Sequence, residues 1–529
     1  MGAPHPLGGK LGIDYHLSMA SKNNWLALVG LIISVIVLGL DLTIMNVALP
    51  TMAADIGAST GELQWIVDSY ALVFAAFMLP AGLLGDRFGR RKLLVTGLAI
   101  FMGGSILGAL VSSPEGVITA RTIMGLGAAL IMPLALSVIP TLFRGEEQTK
   151  AVAALTVGMS VGLPFGPLVS GWLLDNFYWG SVFVINIPFV AVGIIACLTL
   201  IPETRDPSAP KIDLISTALG VLGLAALVYG LIEAPVEGWG DPVIVVSLVA
   251  GVLMLVGLVL RARRETRPML DLELLGNPAY RWNTAIAALA MFVMMGLVFV
   301  LPLYLQAVLR YDAFDTGLRL LPLLVGMIVV ARAVPPLVTR FGSRPVVVGG
   351  MATLGFAMIL GSTTDADTGY GFTALWMVIT GLGVSFAMMP AMDKALAALP
   401  KGREGIGTGL LTTLRQVAGA IGVALLGSLL NVIFKDRIDT QGLPAEAADA
   451  AGQSVVAAQA VAERLNMPQL AQSAEAAFID GMGLVLLVSG VGALAMAVLG
   501  AFVLPDDPKE EKEDPAVEPQ PGSAAGARE

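Results

Sequence analysis

Three ionisable residues stand where charge is expensive. Asp41 (in DLTIMNVALP, 41–50), Asp68 (in WIVDSY, 65–70) and Arg121 (in ITARTIMGLGAA) each interrupt an otherwise apolar stretch. Such a group inside a bilayer costs a few kcal/mol unless it faces water or a partner, and it commonly marks an ion path or proton relay. A desolvated carboxyl holds a proton more readily. Asp41 and Asp68 are therefore candidates for proton coupling or for binding a cationic substrate, against a plain structural role for either. Trp65 and Tyr70 flank Asp68; they can stack on an aromatic cation or anchor at the membrane interface. Arg121 must be paired or solvated.

The second half of the chain is poorer in charge. Arg332 lies in an apolar run that holds no acid. Asp393 and Lys394 are adjacent and can simply pair. Arg415 and Gln416 sit together in TTLRQVAGAIG. The only two histidines, His5 and His16, are near the N-terminus, and the one cysteine, Cys197, lies in an apolar run. Metal sites built on His or Cys, and Ser–His or Cys–His catalysis, are thereby excluded from the apolar part. No GxxxxGK[ST] phosphate loop is present, so no nucleotide or other cofactor is expected.

These residues need apolar helices to hold them. Of 529 residues 56% are apolar and 13% charged, with mean hydropathy +0.81. A soluble domain carries about 25% charged residues. The composition excludes a soluble enzyme and a nucleic-acid binder and leaves a polytopic membrane protein. Continuous apolar runs of about 20 residues, the length that crosses a bilayer as a helix, predict fourteen spans. Most lysines and arginines fall in alternate loops, which puts both termini in the cytoplasm. The net charge of −9 sits mostly in 433–477 and 504–529, two solvated segments, and says nothing of a basic substrate.

An internal repeat orders the spans. DRFGRRKLLVTG at 86–97 resembles TRFGSRPVVVGG at 339–350, and MGLGAALIMP at 124–133 resembles TGLGVSFAMMP at 380–390. Both pairs are eight spans apart. Two six-helix halves with an inserted pair give that offset, and duplicated halves around a midplane site are a transporter architecture. The expected division is a cytoplasmic tail (1–23), an N-terminal half (24–201), an inserted helix pair with a cytoplasmic loop (202–282), a C-terminal half (283–503) with a long outer loop (433–477), and a disordered tail (504–529). The loop 261–282 is expected to lie along the inner interface, and 433–477 to form a helical hairpin.

Between spans 2 and 3 the chain reads GLLGDRFGRRK, with Gly82, Gly85, Asp86, Arg87, Gly89, Arg90 and Arg91. This resembles the signature loop of the major facilitator superfamily. With DLTIMNVALP and fourteen spans, it resembles the drug:proton antiporter branch of that superfamily. The resemblance implies that the loop is a latch closing the cytoplasmic side, with Asp86 capping the next helix or pairing with Arg across the half-interface. Arg121 resembles that family's buried arginine, a proton-relay element acting on a nearby carboxylate, although Met124 stands where Gln is common. Gly158, Gly162, Gly166, Pro167 and Gly171, in GMSVGLPFGPLVSGW, resemble the antiporter motif, with Ser170 a mild departure. Small residues every fourth position also suit close helix packing. Exporters of divalent cations tend to carry extra acids in the late helices; this chain does not.

The implied fold is all-α, a major facilitator fold. The implied function is proton-coupled efflux of amphipathic drugs, antibiotics or a secondary metabolite across a bacterial inner membrane, driven by the proton motive force. The partners are the lipid bilayer, a small amphipathic substrate and protons, with no nucleic acid and a monomeric state. Proton-coupled uptake of a nutrient is the alternative within transporters. A membrane-embedded enzyme or sensor lacks the catalytic cluster it would need.

Overall fold

The computed structural model describes residues 8–144, 146–205, 213–265, 271–365, 367–400 and 403–505. The described residues form helices and no strands. The first half holds α1 (Gly8–Ile56), α2 (Thr60–Phe88), α3 (Arg90–Leu110), α4 (Pro114–Leu142) and α5 (Glu146–Asn176). Its last span is broken into α6 (Ser181–Val184) and α7 (Asn186–Leu200). Next come α8 (Leu214–Glu237) and α9 (Pro242–Ala262). The second half holds α10 (Pro278–Leu303), α11 (Ala313–Arg319), α12 (Leu321–Phe341), α13 (Ser343–Gly361), α14 (Tyr370–Ala397) and α15 (Glu404–Arg437). Two short helices follow, α16 (Ala445–Ala451) and α17 (Val455–Leu465), and then α18 (Pro468–Val503).

Local chemistry sets many helix starts. Ser59 and Glu62 form a capping box on α2. Ser113, Asp241 and Asn277 cap α4, α9 and α10, each followed by Pro at the first turn, where its missing N–H costs nothing. Within the apolar runs the backbone must satisfy its own hydrogen bonds, which only a helix does without neighbours.

The expected spans fall on helices, two of them on broken pairs (α6 with α7, α11 with α12). Twelve described helices are long and apolar enough to cross a membrane, and α2, bent ahead of Pro80, makes thirteen. The expected span at 151–174 coincides with α5, several of whose side chains lie outside the described residues, and α5 is not among these thirteen. Residues 506–529 and the side chains of 1–23, His5 and His16 included, also lie outside them.

The repeat is visible in the packing. A Cβ on Gly127 of α4 would strike the backbone of Gly97 and Phe101 in α3; one on Gly383 of α14 would strike Leu354 in α13. Gly125 rests on the Tyr70 carbonyl of α2, and Gly381 on the Leu323 carbonyl of α12. Gly89 and Gly342 break their chains at φ +117° and +84°, conformations that glycine adopts without a Cβ penalty. The same three-helix arrangement thus occurs in both halves.

The inserted pair is peripheral. α9 turns Val246, Leu253 and Leu260 outward, as a lipid-facing helix does. α8 lies against both α2 and α15: Leu72, Leu224, Val228, Ile232 and Ala424 share one buried cluster.

With the orientation set by the basic loops, the hydrogen bonds that join the halves gather toward the outer ends. Gln306 Nε2 donates to Val47 O at 2.9 Å. Gln64 Nε2 donates to Val423 O and Ala424 O at 3.1 and 3.0 Å. The outer segment adds a further link between the halves, since Thr60 N and Oγ1 both donate to Gln453 O; within the second half, Gln459 Nε2 donates to Ala307 O at 2.6 Å and Arg310 pairs with Glu475 at 2.6 Å. Val455, Ala458 and Ala462 of α17 are buried in the main core. The outer side is closed, and the segment 438–467 covers it. On the inner side, Leu272–Gly276 forms a short 3-10 helix. Arg403 holds it through Asp271 and Glu273 at 3.0 and 3.1 Å, burying Leu274.

Candidate functional site

Asp41, on α1, is fully buried, and Arg121, on α4, is 2% exposed. Arg121 Nη1 donates to Asp41 Oδ2 at 2.5 Å, and its Nε donates to the Ile66 carbonyl of α2 at 3.1 Å. The guanidinium lies 4.1 Å from the Tyr70 ring centroid. Asn186, at the start of α7, reaches Asp41 Oδ1 and Ser105 Oγ with its Nδ2, each at 3.5 Å. One ion pair therefore ties α1, α2, α4 and α7 together. Breaking a buried pair by removing one partner typically costs 3–5 kcal/mol.

Small residues allow the approach. A Cβ on Gly162 of α5 would come within 2.5 Å of Ile36 O and 2.8 Å of Leu40 N on α1. Gly158 faces Ile32 and Gly166 faces Thr43 on the same helix, while Ser170 Oγ donates to Ile44 O at 2.7 Å. Gly171 meets the backbone of Ala313 and Phe314 across the halves, and Gly317 meets the Pro167 carbonyl. The glycines of this motif thus divide their work between the α1–α5 contact and the outer closure.

Asp68 is fully buried, and neither of its carboxylate oxygens has a partner. It does not join Asp41 and Arg121. Ile66, Ser69 and Tyr70 face α4, whereas Gln64 faces α15 and Trp65 faces α8. Asp68, one turn from both Gln64 and Leu72, is on the latter side. Trp65 and Tyr70 diverge for the same reason: five residues turn a helix by about 140° beyond a full turn. Tyr70 stacks on Arg121 rather than on a ligand.

The cytoplasmic loop departs from expectation at Asp86. It does not reach across the halves; Arg90, one turn along, donates to it at 2.8 Å. Gly85 admits Leu134 of α4, while a Cβ on Gly82 would make only ordinary contact, 3.8 Å from Pro133. Glu203, just after α7, receives Lys92 N at 3.2 Å, lies 3.8 Å from Arg91, and occupies the space a Cβ on Gly89 would need. Arg87 lies against Phe88.

The second-half candidates do not assemble. Arg332 is exposed on α12, Asp393 is exposed at the inner end of α14, Arg415 keeps a buried Nε without a partner, and Gln416 is buried on α15. Among the described residues no group of three His, Cys, Asp or Glu is placed to hold a metal. Sequence reading passed over Asn186, a lone amide in VFVINIPFV, and Glu233, an acid inside a predicted span, each visible as a polar residue in apolar surroundings; Glu203, in the polar stretch IPETRDP, gave no such signal.

Two pseudo-symmetric helical halves, one of them holding a buried ion pair, with one side closed, define a membrane transporter. Residues 31–423 match the sequence model of the Major Facilitator Superfamily, and the chain belongs to that family. It is 33% identical over 516 residues to the tetracenomycin C resistance and export protein of Streptomyces glaucescens, covering 95% of each chain. It is 30% identical over 485 residues to the multidrug efflux pump LfrA of Mycolicibacterium smegmatis, covering 90% of this chain and 95% of that one. Among solved structures it shares the fold of a bacterial homolog of the human lysosomal transporter Spinster in an inward-facing, unoccupied conformation. The TM-score is 0.63 at 18% identity, with 91% of this chain and 98% of that chain covered.

Proposed function

We propose that this protein exports amphipathic drugs, antibiotics or a secondary metabolite across the bacterial cell membrane in exchange for protons. The observation that carries the reading is the buried Asp41–Arg121 pair, which joins four helices of one half beneath a closed outer side. Substrate enters from the cytoplasm or inner leaflet. A proton from outside neutralises Asp41, Arg121 loosens, and the halves rock to the other state. The Gly-Pro face of α5 and the names of the relatives, an antibiotic export protein and a multidrug efflux pump, support export over uptake.

The energy source is the proton motive force, with no cofactor. The protein works as a monomer in the inner membrane with both termini in the cytoplasm. A susceptibility panel in a pump-deleted host, with and without a protonophore, tests the reading. Raised resistance that the protonophore removes is the expected result; unchanged susceptibility to every amphipathic compound at full expression would refute it.

A further inference from the structure

The inserted pair has a basic inner end. Asp213 caps α8 by accepting from Ile215 N and Ser216 N, each at 3.1 Å. Arg261, in the last turn of α9, grips Asp213 with Nε and Nη2 at 2.9 and 3.2 Å, and its Nη2 also lies 2.8 Å from Glu265. That guanidinium is engaged by two carboxylates, and it locks the end of α9 to the start of α8. Arg263 and Arg264 follow it at the membrane boundary. Both are exposed, and among the described residues neither is in an ion pair.

A cavity of about 320 Å³ opens beside them, lined by Gly257, Leu260, Arg261, Arg264 and Glu265. The positions 257, 260, 261 and 264 are spaced as one face of a helix. Toward the bilayer centre the face continues to Leu253, which is 64% exposed, as Leu260 is at 49%. Gly257 leaves a notch in that row: a Cβ there would meet only the Leu219 side chain, at 3.9 Å. From Arg264 to Leu253 the helix rises about 16 Å at 1.5 Å per residue, about half of a hydrocarbon core roughly 30 Å thick. The face thus places an unpaired cation at headgroup level, a notch beneath it, and an apolar wall as long as one leaflet. A soluble anion would gain from the arginines alone, whereas a phospholipid would also bury an acyl chain in the notch.

We propose that the inner end of the inserted pair is a binding site for one anionic phospholipid of the cytoplasmic leaflet. Its phosphate lies at Arg264, with Arg263 adding charge, and one acyl chain runs along Leu260, Gly257 and Leu253. Glu265, on the cavity wall, opposes the anion, and its pairing with Arg261 limits that opposition. Juxtamembrane arginines are attracted to any anionic surface; the cavity and the notch turn that general attraction into one place. The site uses neither member of the Asp41–Arg121 pair and does not rest on the export reading.

The test is native mass spectrometry of the purified full chain in detergent, titrated with phosphatidylglycerol, phosphatidylcholine or soluble glycerol phosphate. The first phosphatidylglycerol should bind more tightly than the first phosphatidylcholine. Arg264→Gln should weaken it about fivefold, the equivalent of the ~1 kcal/mol that one arginine contributes near an anionic headgroup. Gly257→Leu, which fills the notch, should weaken it about as much although no charge changes. Glu265→Gln should tighten it. Arg340→Gln removes an exposed arginine from the inner end of α12 and should leave it unchanged. Thermal unfolding shows that Arg264→Gln folds, with a melting temperature equal to the wild type. Equal affinity for the two lipids, an effect of Arg340→Gln as large as that of Arg264→Gln, or wild-type affinity in Gly257→Leu would each overturn the site. Glycerol phosphate binding as tightly as phosphatidylglycerol would also overturn it, since a free anion would then be the ligand.

Discussion

Arg121→Gln leaves Asp41 fully buried with only the Asn186 amide, 3.5 Å away, in reach. The variant loses the 2.5 Å ion pair, the hydrogen bond to Ile66 O and the stack on Tyr70. An orphaned buried charge costs about 3–5 kcal/mol; the hydrogen bond is worth about 1 kcal/mol, and the cation–π contact about 1–2 kcal/mol when desolvated. These overlap, so the expected loss is about 3–5 kcal/mol. Asp41→Asn is milder, because Arg121 keeps Ile66 O and Tyr70. The double variant, Asp41→Asn with Arg121→Gln, replaces the pair by two neutral amides and should be more stable than Arg121→Gln alone. Coupling energies for residues in contact run about 0.5–3 kcal/mol, and a value near the top of that range is expected here. Thermal unfolding of the four proteins in one detergent, with transport in vesicles, measures both effects. All three variants should fail in proton-driven transport, the double included, since stability returns but the carboxyl does not. Additive stabilities would refute the pair as a unit, and a transporting double variant would refute its role in coupling.

Gly162→Val should stall transport, because its side chain meets the Ile36 and Leu40 backbone; overpacking of this kind costs about 1–3 kcal/mol, read as a lower melting temperature. Asp213, capping α8 just outside the span, is held at about 2 against an ordinary 3.8: burial opposes its charge, but hydrogen bonds from Arg261 and Ser216 outweigh burial. A depressed carboxyl stabilises the fold above its unfolded value and loses that contribution as pH falls toward 2. Asp213→Asn should therefore melt lower at pH 7, by about 1–2 kcal/mol after allowance for the partly exposed Arg261, and the difference should shrink below pH 4; a pH-independent difference would assign the effect to packing. Thr60→Cys with Gln453→Cys should form a disulfide that arrests transport until reduced, with buried Cys197 contributing no background; unhindered transport by the crosslinked form would show that 438–467 need not release α2.

The sequence made the helices and their order legible because each span is an uninterrupted apolar run, and the repeat made the two halves legible because glycine spacing records helix contact. Gly125/Gly381 and Gly127/Gly383 do the same job in both halves. Asp41 and Arg121 were legible as separate costly charges; their meeting was not, since the positions are 80 residues apart. Asp86 could be read as a cap of the next helix or as a partner across the halves, and its pairing with Arg90 in this conformation is a property of the folded loop rather than of composition. Asp68 was grouped with the coupling site because depth in the membrane can be counted from sequence, whereas the face of α2 it occupies is fixed by α8 and α15. Glu233 was passed over because it lies four residues from the end of its helix, where an acid reads as interfacial.

The most direct test of the account is substrate flux in proteoliposomes under an imposed pH gradient, with the wild type and Asp41→Asn compared side by side. Proton-coupled export predicts that an amphipathic substrate moves against the direction of proton flow. It also predicts that a protonophore stops the flux and that Asp41→Asn loses the response to the gradient. Movement of substrate in the same direction as the protons, or gradient-driven flux that Asp41→Asn leaves intact, would contradict it.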